Sequence, residues 1–494
     1  MIRAEWTKFR TVRGWLLGLA GAVLATVFLG VAAASASHTS CSKGPVEVPC
    51  PRPPTGPDGG LVQDRFPFAH RDLAGDGSLT VRVAGMTGII TYPPPNHDEI
   101  VSGLVPWAKA GIMVKDGVTP GSRYAAVLLT AAHGVRWQHD YTHDQAGPAT
   151  ASWLRLTRTG DTVTGYASAD GSTWAEVGTT RLAGLPRTVQ IGLFVASPTN
   201  VTSTANARGG SIVQARFTQA TGVFDRVSPA GGWRYDEVGD DGERTDWEKF
   251  HQPAGLREAA GKLTLTGSGD IAPGGTAAGV TVERTLVGMI FALLLVIVVA
   301  VLFVTAEYRR GLIRTTLIAE PRRRRALAAK AVVIGAVTFA AGLVAAGITM
   351  PWATRLLADG GNFVQPVGLA TGLRVVVGSA ALLALLAVLA YALGAALRRG
   401  LLAVVLAVAL TVLPYLLATA SVLPPGAAQW VLRLTPAAGF AIQQTLPAYA
   451  QVSYPYTPSD GYFPLPPWAG LAVVAAWAAA VLAVAAARLR RGDA

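Results

Sequence analysis

The stretch 139–144 sets His139, Asp140, His143 and Asp144 at i and i+4 spacing, with residue types that can hold a metal ion. A third strong ligand is missing from the neighbourhood, so a solvated loop is the expected outcome and no metal is assigned. The acidic run DEVGDDGE brings Glu237 and Asp241 into phase along a strand, as paired carboxylates of a glycosidase must be, but Gly239 lies between them. A surface loop explains that run better. SADGSTW (168–174) approaches an Asp-box and is one residue short. Neither G-x-S-x-G nor H-E-x-x-H occurs, and no G-x-x-x-x-G-K-[ST] loop is present to cradle a nucleotide phosphate. The expectation is a chain that is not an enzyme, with no catalytic, cofactor-binding or metal residues of its own.

Binding chemistry has two other sources. Trp107, Trp137, Trp153 and Trp174 can stack on sugar rings, although alternating strands also need large core residues, and the core reading is favoured. Cys41 and Cys50 are the only cysteines, and in CSKGPVEVPC they read as a disulfide closing a small loop, with two unlinked thiols as the alternative.

The elements that carry these residues divide sharply. LVGMIFALLLVIVVAVLFVT (286–305) has no charge over 20 residues, about the ~20 that a helix needs to cross a hydrocarbon core. Five similar runs, at 15–34, 331–350, 373–397, 401–422 and 471–487, bring the expected spans to six. Between the second and third, AEYRRGLIRTTLIAEPRRRRALAAK packs eight Lys and Arg against Glu307 and Glu320. A short basic loop belongs on the cytoplasmic side, and so do Arg3 to Arg13, Arg398-Arg399 and Arg488 to Arg491. Both termini are then cytoplasmic and 37–284 is extracellular, in a multi-pass protein of the cell membrane. A cleaved signal peptide is the rival for the first run, because Ala34-Ser35-Ala36 has an A-x-A shape, but the run is longer than a usual h-region.

The chain has 494 residues, 51% hydrophobic, with formal net charge +12 and mean hydropathy +0.38. Segment 37–284 holds 22 Lys and Arg against 24 Asp and Glu, so the excess basicity belongs to the loops around the spans and no nucleic-acid partner is expected. Within the spans there is essentially no ionisable residue, which argues against an ion-coupled transporter. High Ala, Gly, Val, Arg and Pro with little Lys or Asn resembles a GC-rich bacterial proteome, such as an actinobacterial one.

Six stretches of the outer segment alternate at strand length: SLTVRVAGM, AKAGIMVKD, RYAAVLLTA, WLRLTRTGDTVTGYASADGSTWAEVG, TVQIGLFVAS and SIVQARFTQ. Gly160 and Gly171 fall where hairpin turns require φ > 0. The organisation expected is therefore a first helix with its N-terminal segment (1–36), a Pro/Gly linker (37–60) and an all-β domain with a C-terminal extension (61–275). A second helix (285–305), a cytoplasmic loop (306–330) and four further spans (331–494) follow. Residues 424–447 are too broken to span and read as re-entrant or interfacial helices.

AEWTKFRTVRGW, FVTAEYRRGLIRTTLIAEPRR and LRLTPAAGFAIQQTL, in that order and on those sides, resemble the membrane subunits of bacterial ABC type-2 exporters. The resemblance implies an all-α six-helix bundle, a homodimer or paralogous pair, and a separate ATPase subunit that binds the ATP. The ATPase-coupling residues it implies are Glu5, Trp6, Lys8, Phe9 and Arg10 of the N-terminal segment, with Glu307, Tyr308, Arg309, Arg310 and Arg314 of the loop. The rival role for these charges is anchoring to lipid headgroups. The first outer loop departs from the family by its length. PWAKAGIMVKD, GSRYAAVLLTAAHGVRWQ, WLRLTRTGDTVTGYASADGSTWAEVG and VQIGLFVAS in turn resemble concanavalin-A-like jelly rolls, which implies an extracellular all-β domain. Such domains often bind carbohydrate, so an extracellular glycan is a candidate ligand that the fold by itself does not imply. The alternative to an exporter is a membrane-anchored carbohydrate-binding or sensing protein.

Overall fold

The computed structural model of the chain describes every residue except 1, 44, 49, 93–98, 206–210, 241–253, 276–278, 310–321, 455 and 492–494. Its described part is a bundle of long apolar helices joined to a two-sheet β domain.

The N-terminal α1 (Ile2–Thr11) is followed by α2 (Arg13–Ser35), and the chain then leaves the bundle to build the β domain. It returns as α3 (Met289–Arg309), α4 (Arg323–Asp359), α5 (Leu369–Leu397) and α6 (Gly400–Thr419). A short α7 (Pro425–Leu434), a 3-10 helix at Pro436–Gln443 and α8 (Pro467–Arg491) complete it. Among the described residues six helices are long and apolar enough to cross a membrane, α2 to α6 and α8. They coincide with the six runs read from the sequence.

The helix α5 packs against α3, α4, α6 and α8, while α2 lies on α3 and α4. Small residues permit this closeness, since a Cβ at Gly342 of α4 would stand 2.8 Å from the Cα of Ala380 in α5. The broken segment 436–443 is a short 3-10 helix, buried throughout against α5 and α8. One boundary differs. The apolar run of the third span ends at 350, but α4 continues through Pro351 to Asp359. Ala353 and Leu357 are buried against Ala34 at the end of α2, and that packing keeps the extra turns helical.

Seven strands form one sheet in the order β10 (His143–Ala146), β9 (Val135–His139), β8 (Tyr124–Thr130), β7 (Lys109–Lys115), β14 (Thr188–Ala196), β4 (Phe66–Ala74) and β17 (Arg234–Val238). The second sheet has the order β13 (Ala175–Arg181), β12 (Thr162–Ser168), β11 (Trp153–Thr159), β5 (Gly77–Thr91), β16 (Ser211–Ser228), β19 (Lys262–Gly267) and β18 (Gly255–Ala259). Two more strands extend it, β6 (Ile100–Ser102) along β5 and β15 (Asn200–Ala205) along β16. The inner faces meet in one apolar core, with Ile112, Val127 and Leu193 from the first sheet and Leu79, Leu156 and Val163 from the second. Gly160 turns β11 into β12 at φ 59°, as its turn demands.

A two-stranded piece, β3 (Val62–Asp64) with β20 (Ile271–Pro273), covers the other face of the seven-stranded sheet. Two buried lysines of β7 tie it down: Lys109 Nζ lies 2.6 Å from Asp270 Oδ1, and Lys115 Nζ lies 2.8 Å from Asp64 Oδ2. Tyr141 also donates to Asp64, at 2.8 Å. The β domain meets the bundle through the Val280–Val364 bridge and through Gln451, whose amide donates to the carbonyl of Tyr141 at 3.3 Å. Cys41 and Cys50 form the disulfide, which spans the hairpin of β1 (Cys41–Lys43) and β2 (Val46–Val48) within the linker.

Candidate functional site

Four charged side chains meet where α1, the C-terminus of α3 and the N-terminus of α4 come together. Lys330 Nζ stands 2.7 Å from Glu5 Oε2 and 2.6 Å from Glu307 Oε1, and all three residues are about as buried as the apolar core, at 3% exposure. Lys8 donates a short hydrogen bond to Glu307 and lies 3.6 Å from Glu5. Two carboxylates and two ammonium groups cancel, which is the condition for burying any of them. Burial opposes the charge on Lys8, but the bond to Glu307 and the fields of Glu307 and Glu5 outweigh it and raise its pKa.

The periodicity of α1 makes this possible. Glu5 and Phe9, four residues apart, share its inner face. Phe9 is fully buried between Trp15 and Phe303, at ring distances of 5.7 and 5.5 Å. Lys330 lies 5.4 Å above the ring of Phe303, so aromatic and ionic contacts converge on one point. The outer face of α1 carries Arg3, Trp6 and Arg10, all exposed.

This placement divides the residues that the exporter resemblance groups together. Trp6, stacked on Phe9 at 6.5 Å, and Arg10 are exposed to a partner or a headgroup, and Lys8 is half-exposed. Glu5, Phe9 and Glu307 do not. They face inward, and their direct contact with a second protein is corrected to an internal role that holds α1 in place. Tyr308 is half-buried, with the guanidinium of Arg398 5.5 Å from its ring. Arg310 and Arg314 lie outside the described residues, as does the side chain of Arg309. Lys330, which the sequence presents as one more loop cation, is the residue that reading missed. Two lone acids beside apolar spans in a basic region were the available signal, because a carboxylate there needs a buried cation.

The tryptophans also separate. Trp137 is 2% exposed and fills the space between the sheets, where a Cβ at Gly165 would come within 2.5 Å of its ring. Trp107 is buried and stacks on His133 at 4.0 Å. Neither presents a face to a sugar, so the glycan reading is corrected for both. Trp153 and Trp174 are half-buried, and Arg155 covers a face of Trp174 at 3.9 Å.

His139 and His143 stack at 4.1 Å, while Asp140 pairs with Arg123 and Asp144 with Arg136. Their carboxylates are thus engaged by arginines, and among the described residues no group of three or more His, Cys, Asp or Glu is placed to hold a metal. Burial, with the neighbouring charges of His143 and Arg123, lowers the His139 pKa to about 4.

No family model matches the chain, and no curated protein does. Solved structures do. SCP-B, a member of the eqolisin family of peptidases in complex with the tripeptide Ala-Ile-His, matches at 8% identity over 42% of this chain and 98% of its own, with TM-score 0.23. Scytalido-glutamic peptidase with a transition state analog inhibitor matches at 8% identity over 42% and 98%, with TM-score 0.21. A functionally unknown protein from Saccharomyces cerevisiae matches at 15% identity over 41% and 97%, with TM-score 0.17. The expectation of a chain that is not an enzyme is corrected to this extent: peptidases are among the structures it resembles, and the expectation is withdrawn. At these scores the likeness assigns no peptidase activity.

Proposed function

We propose that the chain is the membrane-spanning subunit of an ABC-type exporter, driven by a separate ATPase that engages α1 and the loop after α3. The proposal places that end of the bundle in the cytoplasm and the β domain, read as a concanavalin-A-like jelly roll, outside. The observation that carries it is the buried Glu5–Lys330–Glu307–Lys8 cluster. A helix that only anchors to headgroups needs its apolar face in lipid and no ion network in the protein interior. A helix that transmits force needs a rigid joint, and α1 is joined to α3 and α4 by charges and rings together.

In this mechanism the ATPase closes on ATP and moves α1 through Trp6 and Arg10. The joint passes the displacement to α3 and α4, and both pack on α5, so the centre of the bundle rearranges. Two such bundles, as a homodimer or with a paralogue, alternate their opening. The test is purification of the tagged chain from its own host, with identification of what remains bound. A P-loop ATPase in stoichiometric amount, lost when Arg310→Ala and Arg314→Ala are combined, is the expected result. Purification of a chain free of ATPase, with the double variant indistinguishable, would favour a membrane-anchored binding protein.

A further inference from the structure

A cavity of about 480 Å³ opens at the end of the bundle nearest the β domain. It lies where α2 ends, α3 begins and α6 ends, and the segment 458–461 closes it from the β-domain side. Ligand cavities run to roughly 300–1,000 Å³, so it can hold a head group and part of a chain. Val287 and Leu416, each about half exposed, line it together with the half-buried Ile290, so this wall reaches the outer surface of the bundle. Deeper, Phe440 and Tyr415 stack at 4.0 Å.

One wall differs from the rest. Glu283, on the 3-10 turn Val282–Leu286 before α3, lines this cavity. The Thr445 hydroxyl donates to its Oε2 at 2.6 Å, and its Oε1 faces the wall at Gly461, 3.3 Å from where a side chain there would begin. Among the described residues no cation lies within ion-pair distance of it. Arg374 is instead committed to the carbonyl of Gln444, and Arg284, which also lines the cavity, is exposed to solvent. Burial raises the Glu283 pKa, with its hydrogen bonds and Arg284 opposing, so the site favours a partner that neutralises the carboxylate. A second carboxylate, Asp460, lines the same cavity.

We infer that this cavity binds an amphiphile with a primary ammonium head group. The ammonium sits on Glu283, and the chain passes along Ile290, Val287 and Leu416 into the lipid. Three N–H donors on one small cation match two carboxylates, Glu283 and Asp460, that line one cavity, and the apolar mouth matches a single acyl or alkyl chain. An aminophospholipid of the membrane and a free long-chain amine share this chemistry. The inference needs a membrane-embedded bundle and is independent of any ATPase.

The test uses the purified, delipidated full chain in detergent, with bound equivalents read by native mass spectrometry. Probes are dodecylammonium, dodecanol, and short-chain phosphatidylethanolamine, phosphatidylcholine and phosphatidylglycerol. One saturable equivalent of a primary-ammonium probe is expected, with dodecanol, phosphatidylcholine and phosphatidylglycerol bound only weakly. Glu283→Gln should weaken it by about tenfold or more, as loss of a charge-assisted hydrogen bond predicts. Leu416→Trp, which fills the mouth and leaves the charge in place, should block it as well and decides the matter if Glu283→Gln does not fold. Phosphatidylethanolamine binding in competition with dodecylammonium identifies the lipid as the source, and binding of dodecylammonium alone identifies a free amine. No saturable ammonium binding, equal binding of phosphatidylglycerol, or binding unchanged by both variants would overturn the inference.

Discussion

Replacing Lys330 with Met removes the buried cation that is hydrogen-bonded to both carboxylates, at 2.7 and 2.6 Å, while keeping most of the side-chain volume. Breaking a buried ion pair from one side costs about 3–5 kcal/mol, because the remaining charge is left unpaired. Lys8 is still bonded to Glu307 and 3.6 Å from Glu5, so the lower end of that range applies. The loss falls on the joint between α1 and the bundle, and the six spans should stay inserted. A local opening made easier by about 3 kcal/mol raises amide exchange by on the order of 100-fold. Hydrogen exchange of the full chain in detergent should therefore show 3–10 exchanging faster by that order, with α5 unchanged. Adding Glu5→Gln should restore part of the protection, since the unpaired carboxylate is then gone, and the two changes should be non-additive. Unchanged exchange in α1, or strict additivity, would refute the cluster as a joint.

Trp137→Ala should destabilise the β domain by about 3–5 kcal/mol through the cavity it leaves, while Trp174→Ala, at a half-buried position, should cost less than about 1.5 kcal/mol; thermal unfolding followed by near-ultraviolet circular dichroism checks both. Folding holds the His139 pKa at about 4, below its ordinary 6.5, so the unfolded chain takes up this proton first as pH falls. The stability contribution is intact above about pH 6.5 and declines from there towards pH 4. His139→Gln should flatten the melting temperature across that window, and an unchanged pH slope would remove His139 as its source. Thiol titration of the unreduced protein should find none free, and reduction should expose Cys41 and Cys50, because these are the only cysteines and they are bonded. Reporters fused after Arg325 and Arg399 should be cytoplasmic and those near Asp359 and Asp460 external, and an external signal after Arg325 would reverse the orientation.

What was legible follows from the range of each signal. Spans are written in continuous apolar runs and strands in local alternation, so α2 to α6, α8 and the strands β5, β7, β8, β11 to β14 and β16 read directly, whereas 139–144, expected as a solvated loop, is the hairpin from the end of β9 into β10. The end of α4 was not legible, because packing of Ala353 and Leu357 on Ala34 overrides the usual force of Pro351 as a helix end. Lys109 and Lys115 look like exposed charges at the ends of β7, yet both are fully buried. Their partners Asp270 and Asp64 stand 161 and 51 residues away, beyond any local pattern. Trp137 had a nearer sign, the glycines Gly165 and Gly178 inside two strands, whose missing side chains make room for its ring. The cluster of Glu5, Lys8, Glu307 and Lys330 joins three helices, and the sequence brought only three of its members together.

The coupling role proposed for α1 is tested most directly by a photo-crosslinking amino acid placed at Trp6, which is 44% exposed on the outer face of α1. Irradiation of membranes from the native host should yield an adduct whose second component carries a P-loop ATPase sequence. The same probe at Phe9, fully buried, should crosslink only within the chain. Adducts at Trp6 with lipid alone, and none with an ATPase, would contradict the assignment of this chain as an exporter subunit.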